Sequence, residues 1–141
     1  MADGTIDAVA SDHSPHDQES KRQPFAIADP GIAGLETLLP LTLALVHAGD
    51  LSLLEALARL TAGPAQILGL EAGRLVKGAP ADLVLFDPDQ RWRIDPDGFR
   101  SKSKNSPFED HPVRGRALAT IVDSRAIFGA EALTRAPQAV A

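Results

Sequence analysis

The 141-residue chain is 44% hydrophobic and 23% charged and carries a formal net charge of −5, which is typical of a globular protein. The acidic balance argues against nucleic-acid binding, since phosphate contacts require clustered Lys and Arg. The absence of Cys excludes disulfides and thiolate metal sites, so any metal must be held by His and carboxylates, and a cytoplasmic location fits. No targeting segment is expected at the start. The longest apolar run, residues 38–46, is too short to cross a membrane.

The first predicted element is a short buried strand at residues 5–11, an apolar run with β-branched residues that leads directly to Asp12. A polar loop broken by Pro and Gly follows over residues 12–34, and unstructured loops of such length are usually functional or mobile. The strand has no parallel partner within this chain. The order of elements therefore indicates one unit of a larger parallel α/β fold.

Three helical segments are predicted next. Leu-rich residues 35–48 predict a first helix, with Pro40 in the first turn, where it is tolerated. A capping box begins a second helix, and residues 64–68 predict a further helical turn. The residues expected to mark helix ends are Thr37 and Gly49, then Ser52 with Glu55, then Gly69.

An all-β portion is predicted after the helices. Residues 82–87 predict a strand and are followed by a polar, Pro-containing stretch at residues 87–112. Residues 117–128 predict two strands around a turn at Asp123-Ser124. The tail that follows, residues 129–141, shows no clear periodicity of hydrophobic residues and is expected to fray.

The stretch most able to support chemistry is residues 12–16, Asp-His-Ser-Pro-His, directly after the predicted strand. In a β/α barrel, residues at the carboxyl ends of strands point into the active site. Asp12 offers a hard oxygen ligand for Zn²⁺ and can also accept a proton. In the alternative interpretation, Asp12 caps a turn and both His lie exposed on a loop. The motif alone does not separate these interpretations.

A second candidate is residues 30–34, Pro-Gly-Ile-Ala-Gly, just before the Leu-rich helix. Glycine lets a ligand approach the backbone, and free N–H groups near a helix start suit an anion or a carbonyl oxygen. The alternative is an ordinary glycine-containing loop that enters a helix.

Several stretches of the sequence match one known pattern. They are TIDAVASDHSPH at residues 5–16, Lys21, PGIAGLET at 30–37, GRLVKGAPADLVLFD at 73–87, SKSKNSPF at 101–108 and TIV at 120–122. In these stretches the chain resembles the class I dihydroorotases of the amidohydrolase superfamily, which are metal-dependent TIM barrels. Within that superfamily, His16 and residues 101–108 carry the narrower resemblance.

The resemblance implies an α/β fold class, in which only the C-terminal portion of the family's fold is present. Residues 1–69 would be the last β/α unit or units of a TIM-type barrel of a metal-dependent hydrolase. Residues 70–128 would be part of a small β-sandwich domain, and residues 129–141 a tail.

The resemblance also implies an activity, the reversible interconversion of dihydroorotate and N-carbamoyl-aspartate in pyrimidine synthesis, with Zn²⁺ as cofactor. Carried over by position, Asp12 would bind metal, take the proton of the attacking hydroxide and deliver it to the departing amide nitrogen. His16 would hydrogen-bond the substrate, and Pro30 and Gly31 would contact it through their backbone. His13 is expected to pack beside the site rather than to bind metal.

The family's remaining groups have no counterparts here: the His-x-His pair, the bridging carboxylate, two further His ligands and the substrate-binding Arg and Asn. The chain alone is therefore expected to be inactive. Other polar residues are expected to have structural or solvated roles: His47 and His111 as structural histidines, Asp82 and Asp87 in turns, and Arg100, Lys102 and Lys104 in a solvated basic loop.

Three alternatives stay open. One is a related cyclic amidase of the allantoinase or hydantoinase type; Ser14 is compatible with allantoinase-like motifs, whereas His16 favours dihydroorotase. Another is a non-catalytic dihydroorotase-like subunit that partners aspartate transcarbamoylase, although the retained Asp12 and His16 argue against it. The third is a β portion that serves as an interaction module. The expected partners are a small-molecule substrate and, as a protein partner, either a second copy of the chain or aspartate transcarbamoylase. Binding to nucleic acid or to a membrane is not expected.

Overall fold

The computed structural model describes residues 1–134. Residues 135–141 of the expected tail lie outside the described residues. In chain order the elements are α1 (Gln18–Lys21), α2 (Leu38–His47), α3 (Leu53–Leu60), α4 (Ala62–Leu68), β1 (Leu83–Arg93), a 3-10 turn (Pro96–Gly98), β2 (Pro112–Val122), β3 (Arg125–Phe128) and α5 (Ala130–Thr134). Within the described part of the chain, no helix has the length and apolar character needed to cross a membrane.

The Leu-rich helix forms as the sequence predicts. Thr37 is the N-cap of α2, and Pro40 lies buried within its first turn. The last helical residue is His47 and Ala48 is the C-cap. Gly49 follows with a φ of 83°, a left-handed conformation that glycine adopts without strain. Leu43 is 1% exposed and faces β2 at Gly115, so α2 packs against the sheet.

The capping box at the start of α3 is also confirmed. The backbone N–H of Glu55 donates to Ser52 Oγ at 3.3 Å, and the backbone N–H of Ser52 donates to Glu55 Oε2 at 2.8 Å. Hydrogen bonds from the Ser52 side chain and backbone lower the pKa of the Glu55 carboxyl. The charged carboxylate therefore stabilises the helix start.

Replacing Ser52 with Ala is expected to lower the free energy of unfolding by about 1 kcal/mol, the usual effect of losing a helix N-cap. Because the folded-state pKa of Glu55 is lowered, its contribution is fully present above the ordinary Glu pKa of 4.5 and is lost as pH falls through the folded-state value. Denaturant unfolding at neutral and strongly acidic pH measures both effects. Ser101→Ala, which removes a hydroxyl outside any helix, is the control. An equal loss at both pH values would contradict the role of the carboxylate.

The β portion is a three-stranded antiparallel sheet in the order β1-β2-β3. As predicted, Asp123 and Ser124 form the β2–β3 turn, with φ of 47° and 63°, and short polar residues tolerate this left-handed conformation best. Asp82 Oδ1 accepts a hydrogen bond from the Asp123 N–H at 2.8 Å. Asp82 thus supports the β2–β3 turn from the start of β1 instead of forming a turn of its own.

Both long strands extend into the stretch that the sequence analysis assigned to a polar connection at residues 87–112. β1 continues to Arg93 and β2 begins at Pro112, with a register shift between Asp87 and Arg91. Asp87 Oδ1 accepts the N–H groups of Asp89 and Gln90 at 2.9 and 3.1 Å. This local turn lets Pro88 sit at an irregularity of the ladder, where a missing donor is tolerated.

The buried strand predicted at residues 5–11 is wrong for the described chain. Ile6 is 44% exposed, and the segment bonds instead to α3, through Val9 N–H to the Arg59 carbonyl oxygen at 3.0 Å and Arg59 Nε to the Ile6 carbonyl oxygen at 3.0 Å. A parallel strand is defined by its bonds to a neighbouring strand. The described residues contain no such neighbour for this segment.

The buried core joins the loop that precedes α2 to the end of the sheet. Ile94 and Ala33 are 0% and 1% exposed. They belong to one apolar cluster, whose other members are Phe99, Val113, Leu41, Trp92 and Phe108. The β portion therefore packs directly against the second candidate motif, through Ala33.

Candidate functional site

Asp12 lies on the surface at the start of the long loop. It is exposed and has a φ of 42°, and its carboxylate makes no hydrogen bond or ion pair with any described residue. Asp and Asn adopt this left-handed conformation more readily than other residues with a side chain. Asn is therefore the matched replacement that removes the charge at this position and keeps the backbone.

The two histidines of residues 12–16 have different partners. The ring nitrogen Nδ1 of His13 accepts the Gly34 backbone N–H at 3.1 Å, which leaves the proton of a neutral ring on Nε2. His16 Nδ1 lies 3.5 Å from Asp29 Oδ2 and forms an ion pair when the imidazole is protonated. His13 is thus held by Gly34 of the second candidate motif. His16 faces Asp29, the residue that precedes that motif.

The long loop brings the two candidate motifs side by side. His13 and Ile32 form an isolated parallel bridge, in which the Ser14 N–H donates to the Ile32 carbonyl oxygen at 2.9 Å. The one-turn helix α1 lies within this loop, capped by Asp17, whose carboxylate accepts the Ser20 N–H at 2.8 Å. The expectation of a loop without regular structure is corrected by this turn.

Both glycines of the second motif are required by close packing. A Cβ on Gly31 would lie 2.5 Å from Ser14 Cβ, and Gly31 has a φ of 107°. A Cβ on Gly34 would lie 2.5 Å from the Ser11 carbonyl oxygen. Real Cβ atoms do not approach other atoms this closely, so glycine is what lets the second motif pack against residues 11–14.

The carbonyl oxygen of Gly31 accepts two hydrogen bonds. Lys21 Nζ donates to it at 2.9 Å and also donates to the Asp29 carbonyl oxygen at 2.5 Å. Asn105 Nδ2 donates to the same Gly31 oxygen at 2.9 Å. The peptide after Gly31 is therefore held from within the loop and from the β portion at once.

Residues 100–105 of the β portion contact the long loop and the residues that follow it. Ser103 Oγ lies within hydrogen-bond distance of two acceptors, the His16 carbonyl oxygen at 2.7 Å and Asn105 Oδ1, and donates its single proton to one of them at a time. The Glu36 carboxylate accepts the backbone N–H groups of Arg100 and Ser101 at 2.7 and 3.2 Å. These residues were missed as site residues, although SKSKNSPF was one of the stretches that carried the resemblance.

The expectation of a solvated basic loop is wrong for Lys104. Its Nζ donates to the carbonyl oxygens of Phe99 and Asp97 at 2.6 and 3.2 Å, so it closes the turn that precedes it. Lys102 is exposed, as expected. Arg100 is exposed too, but its guanidinium lies 4.8 Å from the centre of the Phe128 ring.

The other two histidines have structural contacts, as expected. His47 Nε2 lies 3.1 Å from the Pro88 carbonyl oxygen. The rings of His111 and Phe108 meet edge to face with centroids 6.3 Å apart. The first contact joins α2 to β1, and the second lies within the connection between β1 and β2.

The described residues do not fit a metal ion by themselves. Residues 1–134 contain no group of three or more His, Cys, Asp or Glu side chains that could hold one, and a protein zinc site uses at least three protein ligands. Asp12 is the expected ligand that is present.

Comparison with known proteins places this geometry in context. A model of the amidohydrolase family matches residues 32–128. The chain is 47% identical over 131 residues to a dihydroorotase from Anaplasma phagocytophilum and 50% identical over 125 residues to one from Syntrophotalea carbinolica. These alignments cover 93% and 89% of the chain, which spans 29% of the length of each relative.

A similar fold occurs among solved structures. The L-hydantoinase (dihydropyrimidinase) from Arthrobacter aurescens superposes on 90% of the chain with a TM-score of 0.83 and 35% sequence identity, and the chain covers 30% of that structure. The sequence similarity and the structural similarity therefore extend over nearly the same part of the chain.

Proposed function

We propose, from the premise that this chain belongs to the amidohydrolase family, that it provides one side of the active site of a dihydroorotase-like cyclic amide hydrolase. The expected α/β fold class, a piece of a TIM-type hydrolase barrel with an attached β portion, is confirmed by the family match and the hydantoinase superposition. The observation that carries the proposal is the bridge that joins residues 12–16 to residues 30–34, in a sequence 47% and 50% identical to two dihydroorotases.

The proposed substrates are dihydroorotate and N-carbamoyl-aspartate. In the hydrolytic direction, water adds to the ring amide carbonyl and the C–N bond breaks. We assign the Asp12 carboxylate to accept the proton of the attacking water and deliver it to the departing nitrogen. His16 is assigned to hydrogen-bond the substrate, and Pro30 and Gly31 to contact it through their backbone.

Zn²⁺ belongs to this proposal as a cofactor of the complete enzyme. Asp12 would provide one ligand, and the others would come from outside the described residues. Because a single carboxylate cannot form a zinc site, the 141-residue chain alone is expected to show no dihydroorotase turnover and no stoichiometric zinc. A turnover assay and metal analysis of the purified chain test this. Turnover with bound zinc would contradict it.

The activity itself is tested in a chimera in which this chain replaces the matching segment of the Syntrophotalea carbinolica dihydroorotase. We expect the chimera to hydrolyse dihydroorotate, because the contacts that join the two candidate motifs to each other and to the β portion lie entirely within the transplanted chain. The parent enzyme is the positive control. A folded, zinc-loaded chimera without activity on any cyclic amide would contradict the proposed function.

Similarity to the Arthrobacter aurescens L-hydantoinase supports a second candidate, a hydantoinase-type cyclic amidase. The chimera distinguishes the two when it is assayed on dihydroorotate, a 5-substituted hydantoin and allantoin. A kcat/KM highest for dihydroorotate supports the first proposal, and one highest for a hydantoin supports the second. Dihydroorotate carries a carboxylate that hydantoins and allantoin lack. A site that binds this carboxylate should therefore favour dihydroorotate strongly over the other two substrates.

A further inference from the structure

We propose that residues 103–105 are a positioning element for this site, in which Ser103 and Asn105 hold the proposed substrate-contacting groups of the long loop at a set separation. The inference rests on the proposed function, because it concerns the loop assigned to contact substrate. It adds residues of the β portion to a site whose proposed contacts otherwise lie within residues 12–31.

Asn105 holds the Gly31 side of the loop through two bonds. Its side-chain Nδ2 donates to the Gly31 carbonyl oxygen at 2.9 Å, and its own carbonyl oxygen accepts the Ala33 N–H at 2.9 Å. Two bonds from one residue to positions two apart restrict both the rotation and the position of the intervening backbone. The backbone from the Gly31 carbonyl to the Ala33 N–H is thereby fixed relative to the β portion, directly after Pro30 and Gly31.

Ser103 holds the His16 side of the same loop. Its Oγ lies 2.7 Å from the His16 carbonyl oxygen and also contacts Asn105 Oδ1. Its single hydroxyl proton is donated to one of these two acceptors at a time. Both Ser103 and Asn105 are half-buried, so water competes less for these bonds than at an exposed position. One three-residue segment thus contacts both arms of the loop.

The positions of the loop segments at His16 and at Gly31 matter because neither segment lies in a regular helix or strand. His16 and Gly31 sit in irregular backbone, whose ordering free energy must otherwise be supplied when substrate binds. A site already held in its binding geometry binds more tightly, and a misplacement of about 1 Å can lower a rate by about 10²-fold. Ser103 and Asn105 are therefore positioning residues that act through His16 and Gly31.

The test uses Asn105→Ala and Ser103→Ala in the chimera, with Lys102→Ala as the matched control. Lys102 is exposed and lies on the same segment, and its side chain has no hydrogen bond or ion pair with any described residue. We expect Asn105→Ala to lower kcat/KM for dihydroorotate by about 10–100-fold, mainly through KM, since ground-state and transition-state binding are both weakened. Ser103→Thr, which keeps the hydroxyl, should restore most of the activity lost in Ser103→Ala.

Amide hydrogen exchange provides a readout that does not depend on turnover. It is measured on the chain and on the chimera. Asn105→Ala should speed exchange at Ser14 and Ala33 relative to Lys102→Ala, while amides within α3 stay unchanged. Equal amide exchange rates in Asn105→Ala and Lys102→Ala would overturn the positioning role. It would also be overturned if KM stayed unchanged in Asn105→Ala and activity fell only in proportion to the unfolded fraction. A chimera without activity would count against the proposed function, while the exchange comparison would still decide whether the segment holds the loop.

Discussion

Asp12→Asn in the chimera is expected to lower kcat for dihydroorotate by about 10²–10⁴-fold, the usual contribution of a positioned general acid or base. The amide of Asn has nearly the shape of the carboxylate but cannot accept and return a proton at neutral pH. Asn also tolerates the left-handed backbone at this position, where φ is 42°. The loss is measured by steady-state kinetics, and zinc content per chain reports separately on the proposed ligand role.

The effect should be chemical rather than structural. The Asp12 side chain is exposed and has no partner among the described residues, so Asp12→Asn should leave the melting temperature of the 141-residue chain, measured without metal, unchanged. Asp7→Asn provides the matched control, because Asp7 is also an exposed carboxylate on the segment before the loop. A variant that keeps more than about a tenth of the parental kcat would be inconsistent with general acid–base catalysis by Asp12.

Gly31→Ala is expected to be the most disruptive single substitution in the candidate site. An added methyl would lie 2.5 Å from Ser14 Cβ and would sit on backbone with a φ of 107°. The backbone strain should cost about 1–3 kcal/mol, and the overpacking about 1–3 kcal/mol more. Displacing this peptide should also lower kcat/KM in the chimera by about 10²-fold.

Two comparisons separate strain from steric overlap. Gly78 has a φ of 89° with no atom within 4 Å of an added Cβ, so Gly78→Ala should show the backbone cost alone. In the Gly31→Ala, Ser14→Gly double variant, the overlapping Cβ is gone, and part of the lost stability should return. Denaturant unfolding measures all three variants. Equal losses in Gly31→Ala and Gly78→Ala would show that contact between the two motifs is not what requires glycine.

The helices show how much local sequence can predict. Thr37, the capping box at Ser52 and Glu55, and the left-handed Gly69 mark helix ends where the structure has them. The capping box and Gly69 work through bonds between residues a few positions apart, whereas Thr37 occupies the N-cap position without a side-chain capping bond. The same reasoning applies to the β2–β3 turn at Asp123 and Ser124.

The strand at residues 5–11 shows the opposite case. Its apolar, β-branched composition is typical of a buried strand, but a strand needs hydrogen bonds from a partner, and sequence composition cannot provide one. Among the described residues the segment bonds to Arg59 of α3 instead. The continuation of β1 through Asp87–Arg93 is a related case, because pairing with β2 overrides the low strand propensity of Asp and Pro.

For the candidate site, the sequence by itself determined which residue types are available: an aspartate and two histidines in one motif, and glycines in another, with Asp12, His16, Pro30 and Gly31 as the proposed contacts. Only the tertiary structure decided that these motifs adjoin through the His13–Ile32 bridge, and that Asn105 from the β portion shares the Gly31 carbonyl with Lys21. The reason is physical: helix caps and tight turns are formed by near neighbours in the chain, whereas a site is formed by contacts between distant segments, whose meeting depends on how the whole core packs.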